Sequence, residues 1–298
     1  MRVPKRRGWS APDLQLNSLS SYPMRIGFQG ESYSYSHRAL TELFPDAEAV
    51  GFHNFVAAFG GLDSGAVDKL VLPVENSTTG SVLPVLDRLP GNGDHKPISI
   101  VAEHLVEVRH ALLGTPDATL ETVKTVRSHP QALAQAQETL LGLGLDTRPS
   151  YDTAGAVRMV AEGGDPTVAA LANPRAGAAH GLIVLLENVM DKAHNTTRFV
   201  VLASGKPTVS PDANKTTVLF RTAHTPGALA LALTELGLRG ANLTRIESRP
   251  SGEAWSYRFF VDLLHPPGPD GLKSVLEPPL GTLSELRVLG SYVAAPQP

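Results

Sequence analysis

Four short polar segments hold the residues whose types and spacing could do chemistry. In Leu72–Val82 (LPVENSTTGSV) an apolar run ends at Val74, and Glu75, Asn76, Ser77, Thr78 and Thr79 follow before Gly80. Polar side chains at the C-terminal end of a sheet strand stand where open α/β sheets bind ligands, and a following helix start offers free N–H groups to an anion. Read alone, the segment serves equally well as a capped turn, since Asn, Ser and Thr are common caps. Ser128–Gln131 (SHPQ) repeats the arrangement, with Pro130 suited to a first helical turn. Gln131 could bind a carboxylate or hydroxyl; His129 could act as an acid or base, though by itself it reads as a loop histidine. Asp191–Phe199 (DKAHNTTRF) gathers Asn195, Thr196, Thr197 and Arg198 ahead of a strand. Arg198 could form a bidentate pair with a carboxylate, although a surface salt bridge is the usual fate of such an arginine. Gly30–His37 (GESYSYSH) is a further hydroxyl-rich turn without the glycine spacing of a dinucleotide or P-loop motif, so no nucleotide cofactor is expected. No pair of histidines or carboxylates is spaced for a metal.

These segments fall at strand ends in a chain that alternates short apolar runs with amphipathic ones. Strands are expected at Arg25–Gln29, Ala47–Phe52 and Lys69–Val74, with helices at Tyr33–Leu43, capped by Ser32, and Phe55–Leu62. Such alternation argues for βαβ units and a largely parallel sheet. The turn-rich Pro90–Pro97 (PGNGDHKP) divides off a second α/β unit. There, extended segments at Ile98–Leu113, Thr125–Ser128, Thr167–Leu171, Ile183–Leu186 and Phe199–Ala203 accompany helices at Gln131–Leu140, Thr153–Glu162 (capped by Asp152) and Arg175–His180. Two α/β lobes with a cleft between them form the simplest assembly. Gly205–Asn214 has a linker's composition, and beyond it the order strand, helix, strand, strand, helix, strand is the ferredoxin-like pattern βαββαβ.

The 298 residues suffice for two domains, and 42% hydrophobic with 18% charged residues suit a globular core. A net charge of -3 supplies no basic field for nucleic acid or an anionic membrane, so an anionic ligand needs local donors. With no cysteine, disulfides, thiolate catalysis and sulfur-ligated metals are excluded, which suits a cytoplasmic enzyme. Residues 1–23 are basic, then polar, and have no continuous apolar core. They read as a disordered tail rather than a secretory signal, and Asp13 argues against a transit peptide. Strand-like patterning begins just after Met24, a candidate start.

Taken together the segments resemble one family. LPVENSTTGSV with Asp87, SHPQALAQ (Ser128–Gln135), DTAGAV (Asp152–Val157), NTTRF (Asn195–Phe199), PGAL (Pro226–Leu229) and NLTRIESRP (Asn242–Pro250) are similar, in family order from about Met24 to the C-terminus, to prephenate dehydratases with an ACT regulatory domain. The resemblance implies an α/β fold: a catalytic domain over 24–205 with two lobes like type II periplasmic binding proteins (24–97 with 187–205, and 98–186), a linker at 206–214, and a ferredoxin-like ACT domain over 215–298. The family's catalytic threonine falls on Thr197. Its substrate-binding set falls on Ser34, Glu75, Asn76, Ser77, His129, Gln131, Arg198 and Phe199. Effector phenylalanine would be held by Gly227, Ala228, Leu229, Asn242, Leu243, Glu247, Ser248 and Arg249 in a homodimer or homotetramer. The first loop departs from the family, because Tyr33 stands where a glycine is usual and puts that loop's path in question.

The implied reaction is decarboxylating dehydration of prephenate to phenylpyruvate. Aromatisation supplies the driving force, so the protein must place two carboxylates and assist the departing hydroxide, with neither metal nor cofactor. Thr197 would stabilise the leaving oxygen, while Glu75 organises its loop rather than touching an anion. The same motifs fit arogenate dehydratase; a non-catalytic amino-acid-binding module is the rival from another class, disfavoured by the intact NTTRF.

Overall fold

A computed structural model describes residues 23–91, 96–192, 194–252 and 255–296. The tail expected over 1–23 therefore lies outside the described residues except for Pro23, as do residues 92–95 of the turn-rich break.

The first lobe is built around the strand Arg25–Gln29, whose Ile26 and Phe28 are buried, with Glu48–Phe52 on one side and Lys69–Asn76 on the other, both parallel to it. The connecting helices are Tyr35–Leu43 and Phe55–Ser64. The latter buries Ala58, Phe59, Gly61 and Leu62, one helical stripe, and ends at Gly65 with the left-handed φ of 76° that suits a glycine cap. The first helix is capped by Ser34, whose Oγ accepts from His37 N, and not by the expected Ser32. Tyr33 takes up the discrepancy with a φ of 68°, the left-handed conformation the family's glycine would adopt without penalty.

The sheet is mixed rather than largely parallel. Beyond Lys69–Asn76 comes Thr196–Ser204, antiparallel to it, and then Ile98–Glu107, antiparallel again. The strand Ile98–Glu107 thus belongs to the first sheet, where it was expected to open the second lobe. Nine residue pairs join it to the returning strand between Ile98 and Glu107, so the turn-rich break does not separate the two lobes. The chain crosses to the second lobe at 108–110 and rejoins the first sheet at Thr196. That lobe has its own sheet, in the order Ile183–Leu186, Ala111–Gly114, Val168–Ala172, Thr125–Ser128, Asp146–Pro149. The helix Thr153–Gly163 covers it, capped by Asp152 Oδ1 accepting from Gly155 N at 2.6 Å.

The C-terminal unit runs Lys215–Thr222, Ala228–Leu238, Asn242–Pro250, Tyr257–Leu264, Gly268–Leu276, Leu283–Tyr292, as strand, helix, strand, strand, helix, strand. Its strands lie in the order Asn242–Pro250, Tyr257–Leu264, Lys215–Thr222, Leu283–Tyr292. Its two helices close a core that includes Val218, Phe220, Leu236, Val261 and Val275. This unit continues the first lobe's sheet through one parallel contact, Gly290 opposite Ile100. The two also share a buried cluster, in which Leu219, Phe260, Leu289 and Tyr292 pack with Leu70, Leu72, Ile100 and Val200. Among the described residues no helix is long and apolar enough to cross a membrane.

The junction rests on a missing side chain. A Cβ at Gly290 would stand 2.2 Å from the Ile100 carbonyl oxygen and 2.6 Å from Ile100 Cβ, so any larger residue forces these two paired strands apart. Gly290→Val should destabilise the protein by about 1–3 kcal/mol, the usual effect of overpacking a close contact. Urea denaturation measures this, and an unchanged midpoint would contradict so close an approach.

Candidate active site between the lobes

A cavity of about 620 Å³ lies between the lobes. The first lobe contributes Ser34, Asn76, Thr79, Thr197 and Phe199 to its wall, the second His129, Gln131, Gln135 and Asp152, and the crossing segment His110. Asn76 is its hub. Its Oδ1 accepts from the amides of Thr78 (3.0 Å) and Thr79 (3.2 Å) and from both hydroxyls (2.6 and 3.2 Å), which makes the turn after the strand a tight Asx turn. Its Nδ2 is thereby aimed at Asn195 Oδ1 (2.6 Å) and Thr197 Oγ1 (2.9 Å). With a lone pair of Thr197 taken up in this way, the Thr197 O–H is left as the donor to whatever fills the cavity.

The polar network continues across the cleft. Asn195 Nδ2 donates to Gln135 Oε1 (3.0 Å), Gln135 Nε2 to Thr78 Oγ1 (2.7 Å) and Gln131 Nε2 to Thr79 Oγ1 (2.5 Å). On the opposite rim Arg158 pairs with Glu31 at 3.2 Å, and the Tyr151 hydroxyl donates to the His53 carbonyl at 2.5 Å. The lobes are thus tied on both sides of the cavity.

Among the described residues no lysine or arginine lines the cavity. Positive potential comes instead from the backbone: the helices Tyr35–Leu43, Phe55–Ser64 and Thr153–Gly163 each bring a cap or first-turn residue to the wall, namely Ser34 and Tyr35, Asn54 and Phe55, Asp152 and Thr153. Helix N-termini carry partial positive charge and unpaired N–H groups, so the cavity favours anions without a fixed cation.

Of the expected substrate residues, Ser34, Asn76, His129, Gln131, Thr197 and Phe199 reach the cavity wall. Three are placed elsewhere. Arg198 follows Thr197 in a strand, so its side chain leaves by the other face, where it is buried against Glu103 and Asp262. Glu75 goes the same way and pairs with Arg198 at 3.3 Å. Ser77 is exposed, its Oγ accepting from Thr196 N and its N–H donating to the Thr196 carbonyl, both at 2.9 Å. It splices the turn to the returning strand.

The expected effector residues divide as well. Glu247 accepts from Ser81 Oγ at 2.6 Å, and Arg249 pairs with both Asp87 oxygens at 2.9 and 2.6 Å, so these two side chains are spent on the first lobe. Ser248 is exposed between them; Gly227, with a φ of 80°, opens the helix carrying Ala228 and Leu229, and Asn242 and Leu243 open the next strand.

Site residues outside the expected set are Asn195, Gln135, Thr79, Asp152 and the pair Tyr35–His110. Gln135 carried a readable signal, since it follows Gln131 by four residues in a helical segment. His110 carried none. It is buried, its ring 5.4 Å from the Tyr35 ring at 72° and its Nδ1 3.5 Å from the Tyr35 oxygen. The Tyr35 hydroxyl donates to the Arg109 carbonyl and accepts from Arg109 N at 3.0 Å. Burial pushes the His110 pKa down to about 4 and that of Tyr35 upward. His129 is also lowered by burial, against the pull of Asp152, and its Nδ1 accepts from Gln131 N at 3.2 Å. Both imidazoles are therefore neutral at pH 7, and His129 carries its proton on Nε2.

The buried, neutral His110 makes stability pH-dependent. Its folded pKa of about 4 lies below the ordinary 6.5, so between those values the unfolded chain binds a proton that the folded protein refuses. This contribution is fully present above pH 6.5 and falls away by up to about 3 kcal/mol as the pH drops toward 4. Urea denaturation at pH 7.5 and 4.5 should show a smaller loss in His110→Gln than in the wild type. An equal loss in both would mean that His110 is not held neutral.

Known proteins resemble this chain along most of its length. The family described as Prephenate dehydratase matches residues 26–207, which include both lobes and the returning strand. Arogenate dehydratase/prephenate dehydratase 1, a chloroplastic protein of Arabidopsis thaliana, is 38% identical over 255 residues, 80% of this chain. The match spans 64% of that plant protein, just under two thirds of its length. A bifunctional N-acyl-homoserine lactone acylase/prephenate dehydratase of Komagataeibacter europaeus is 36% identical over 277 residues, 91% of this chain and 96% of that one. The crystal structure of prephenate dehydratase from Arthrobacter aurescens in complex with L-Phe superposes with a TM-score of 0.77 at 28% identity, covering 91% of this chain and 90% of that one. With the family matched over more than half of its length, and relatives above 30% identity along most of it, the chain belongs to the prephenate dehydratase family.

Proposed function

We propose that this chain converts prephenate to phenylpyruvate, with Thr197 assisting the departing hydroxide. The observation that carries the reading is the Asn76–Thr197 hydrogen bond at 2.9 Å, which occupies the threonine oxygen and leaves its O–H to donate into a cavity lined by helix N-termini. The ring carboxylate leaves as carbon dioxide, its C–C bonding pair enters the ring, and the opposite C–O bond breaks with its pair on oxygen. Negative charge thus grows on the leaving oxygen, and a donor fixed beforehand in a cleft stabilises it more than mobile water does. A threonine hydroxyl is a poor acid, so it donates a hydrogen bond without giving up its proton, and the oxygen departs as hydroxide that is released to solvent. Gln131, Ser34 and the helix N-termini serve the two carboxylates. Arogenate is the second reading, favoured by relatives named for both dehydratase activities and by the Asp152 carboxylate on the wall, a fit for the substrate's ammonium.

The same proposal assigns residues 24–205 to a catalytic domain of type II periplasmic-binding-protein form, supported by two lobes crossed twice by the chain. It assigns 206–214 to a linker and 215–298 to a ferredoxin-like ACT domain, supported by the strand order with Lys215–Thr222 and Tyr257–Leu264 in the centre. L-phenylalanine is the proposed effector, supported by its presence in the Arthrobacter aurescens structure. It would act on a homodimer or homotetramer in the cytoplasm.

Thr197→Ala should lower kcat on prephenate by roughly a hundredfold, equivalent to ~3 kcal/mol of lost leaving-group stabilisation, with little change in KM. Steady-state kinetics on prephenate and arogenate in parallel measure this, with folding checked by circular dichroism. Near-normal turnover in a folded variant contradicts the role of Thr197. L-phenylalanine added to the same assay tests the effector, and unchanged turnover with no heat of binding contradicts it.

A further inference from the structure

Behind Thr197, on the face of the strand turned away from the cavity, Arg198 is enclosed by partners from both the first lobe and the C-terminal unit. Its Nε donates to Glu103 Oε2 at 2.7 Å and its Nη1 to Glu75 Oε2 at 3.3 Å, both in neighbouring strands of its own sheet. Its Nη1 also donates to Asp262 Oδ2 at 2.5 Å and its Nη2 to the Tyr292 hydroxyl at 3.0 Å, and these two belong to the C-terminal unit. The partners are themselves held. Thr217 Oγ1 donates to Asp262 Oδ1 at 2.5 Å and lies 2.7 Å from the Tyr292 oxygen, while Lys215 Nζ donates to both Glu103 oxygens at 3.1 and 2.9 Å. Asp262 is fully buried, and its pKa is lowered despite burial because Arg198 and Arg245 stand beside it.

Such an anchor matters because one of the two backbone ladders flanking the strand is irregular at this point, while the pairing with Ile98–Glu107 stays regular from Thr196 to Val201. The pairing of the returning strand with Lys69–Asn76 shifts register between Arg198 and Phe199. A bulge interrupts the ladder locally, so side-chain contacts share in setting the path of the strand there. Thr197 and Arg198 are bonded neighbours with Cα atoms about 3.8 Å apart. A guanidinium gripped by four partners therefore limits where the Thr197 hydroxyl can stand.

We propose that Arg198 is a positioning residue for Thr197, and that its grip is completed by Asp262 and Tyr292, so the C-terminal unit reaches the reacting hydroxyl through one side chain. This inference rests on Thr197 being the group that meets the leaving oxygen. Rearrangement of the C-terminal unit then acts on turnover before it acts on substrate affinity.

The test is Asp262→Asn, which keeps shape and an acceptor oxygen but removes the charge, with Tyr292→Phe as the milder variant should the first fail to fold. Misplaced catalytic groups lower rates steeply, so kcat should fall about tenfold or more while KM stays within about threefold. The loss should vanish when the same change is made in Thr197→Ala, since the hydroxyl being positioned is then gone. Amide hydrogen exchange at residues 196–199 should rise about tenfold while Thr153–Gly163 is unchanged. An equal loss of kcat in both backgrounds, or unaltered exchange at 196–199, overturns the proposal. A wild type inactive on prephenate and arogenate would instead sink the assigned activity, and the exchange data would still decide whether Asp262 holds this strand.

Discussion

In a β-strand, neighbouring side chains leave by opposite faces, and at Thr197–Arg198 this constraint organises the molecule. One residue opens onto the cavity and the next is buried against the C-terminal unit. The flanking strand obeys it too: Asn76 reaches Thr197 on the cavity side, and Glu75 reaches Arg198 behind. Two adjacent strands thus carry a polar site on one face and a buried ion network on the other, with a single backbone between them. A one-residue slip of the returning strand would exchange the two sets, placing a guanidinium in the cavity and a hydroxyl among carboxylates.

The two faces solve their electrostatics differently. Behind the strand, Arg198, Lys215 and Arg245 meet Glu75, Glu103 and Asp262, formal charges of either sign in equal number. Burying ions is tolerable only when each keeps its partners, and removing one leaves the others uncompensated. Among the described residues the cavity wall carries no lysine or arginine, and it relies on helix N-termini and neutral donors. A dianion placed there would meet donors whose positions are fixed by Asx turns and caps rather than by flexible side chains, which suits the proposed reaction, where charge moves between two ends of one ring.

Much of this was legible in the residues and some was not. The strands around Ile26, Val71 and Val200 are buried apolar runs bounded by turn residues, and they read correctly. Asp152 as a cap reads from its place before an amphipathic run. The cap at Ser34 was missed for Ser32 because Tyr33 takes a left-handed φ that no propensity favours for an aromatic residue. Ile98–Glu107 was misassigned to the second lobe because a glycine-rich turn looks alike within a lobe and between lobes, while sheet membership depends on partners far along the chain. The cavity residues in motif segments were readable; the direction of Arg198 depends on strand register, and the burial of His110 on the packing of Tyr35 across the crossing.

The central claim concerns where the Thr197 hydroxyl points when the cavity is filled. A crystal structure of the wild-type protein with a non-reactive prephenate analogue that retains the ring hydroxyl tests it directly. The account predicts the analogue hydroxyl within about 3 Å of Thr197 Oγ1, with Asn76 Nδ2 still donating to that oxygen and the analogue carboxylates lying against helix N-termini. An analogue seated in the cavity with its hydroxyl turned from Thr197, or with Asn76 released from Thr197 to bind it, would contradict the account.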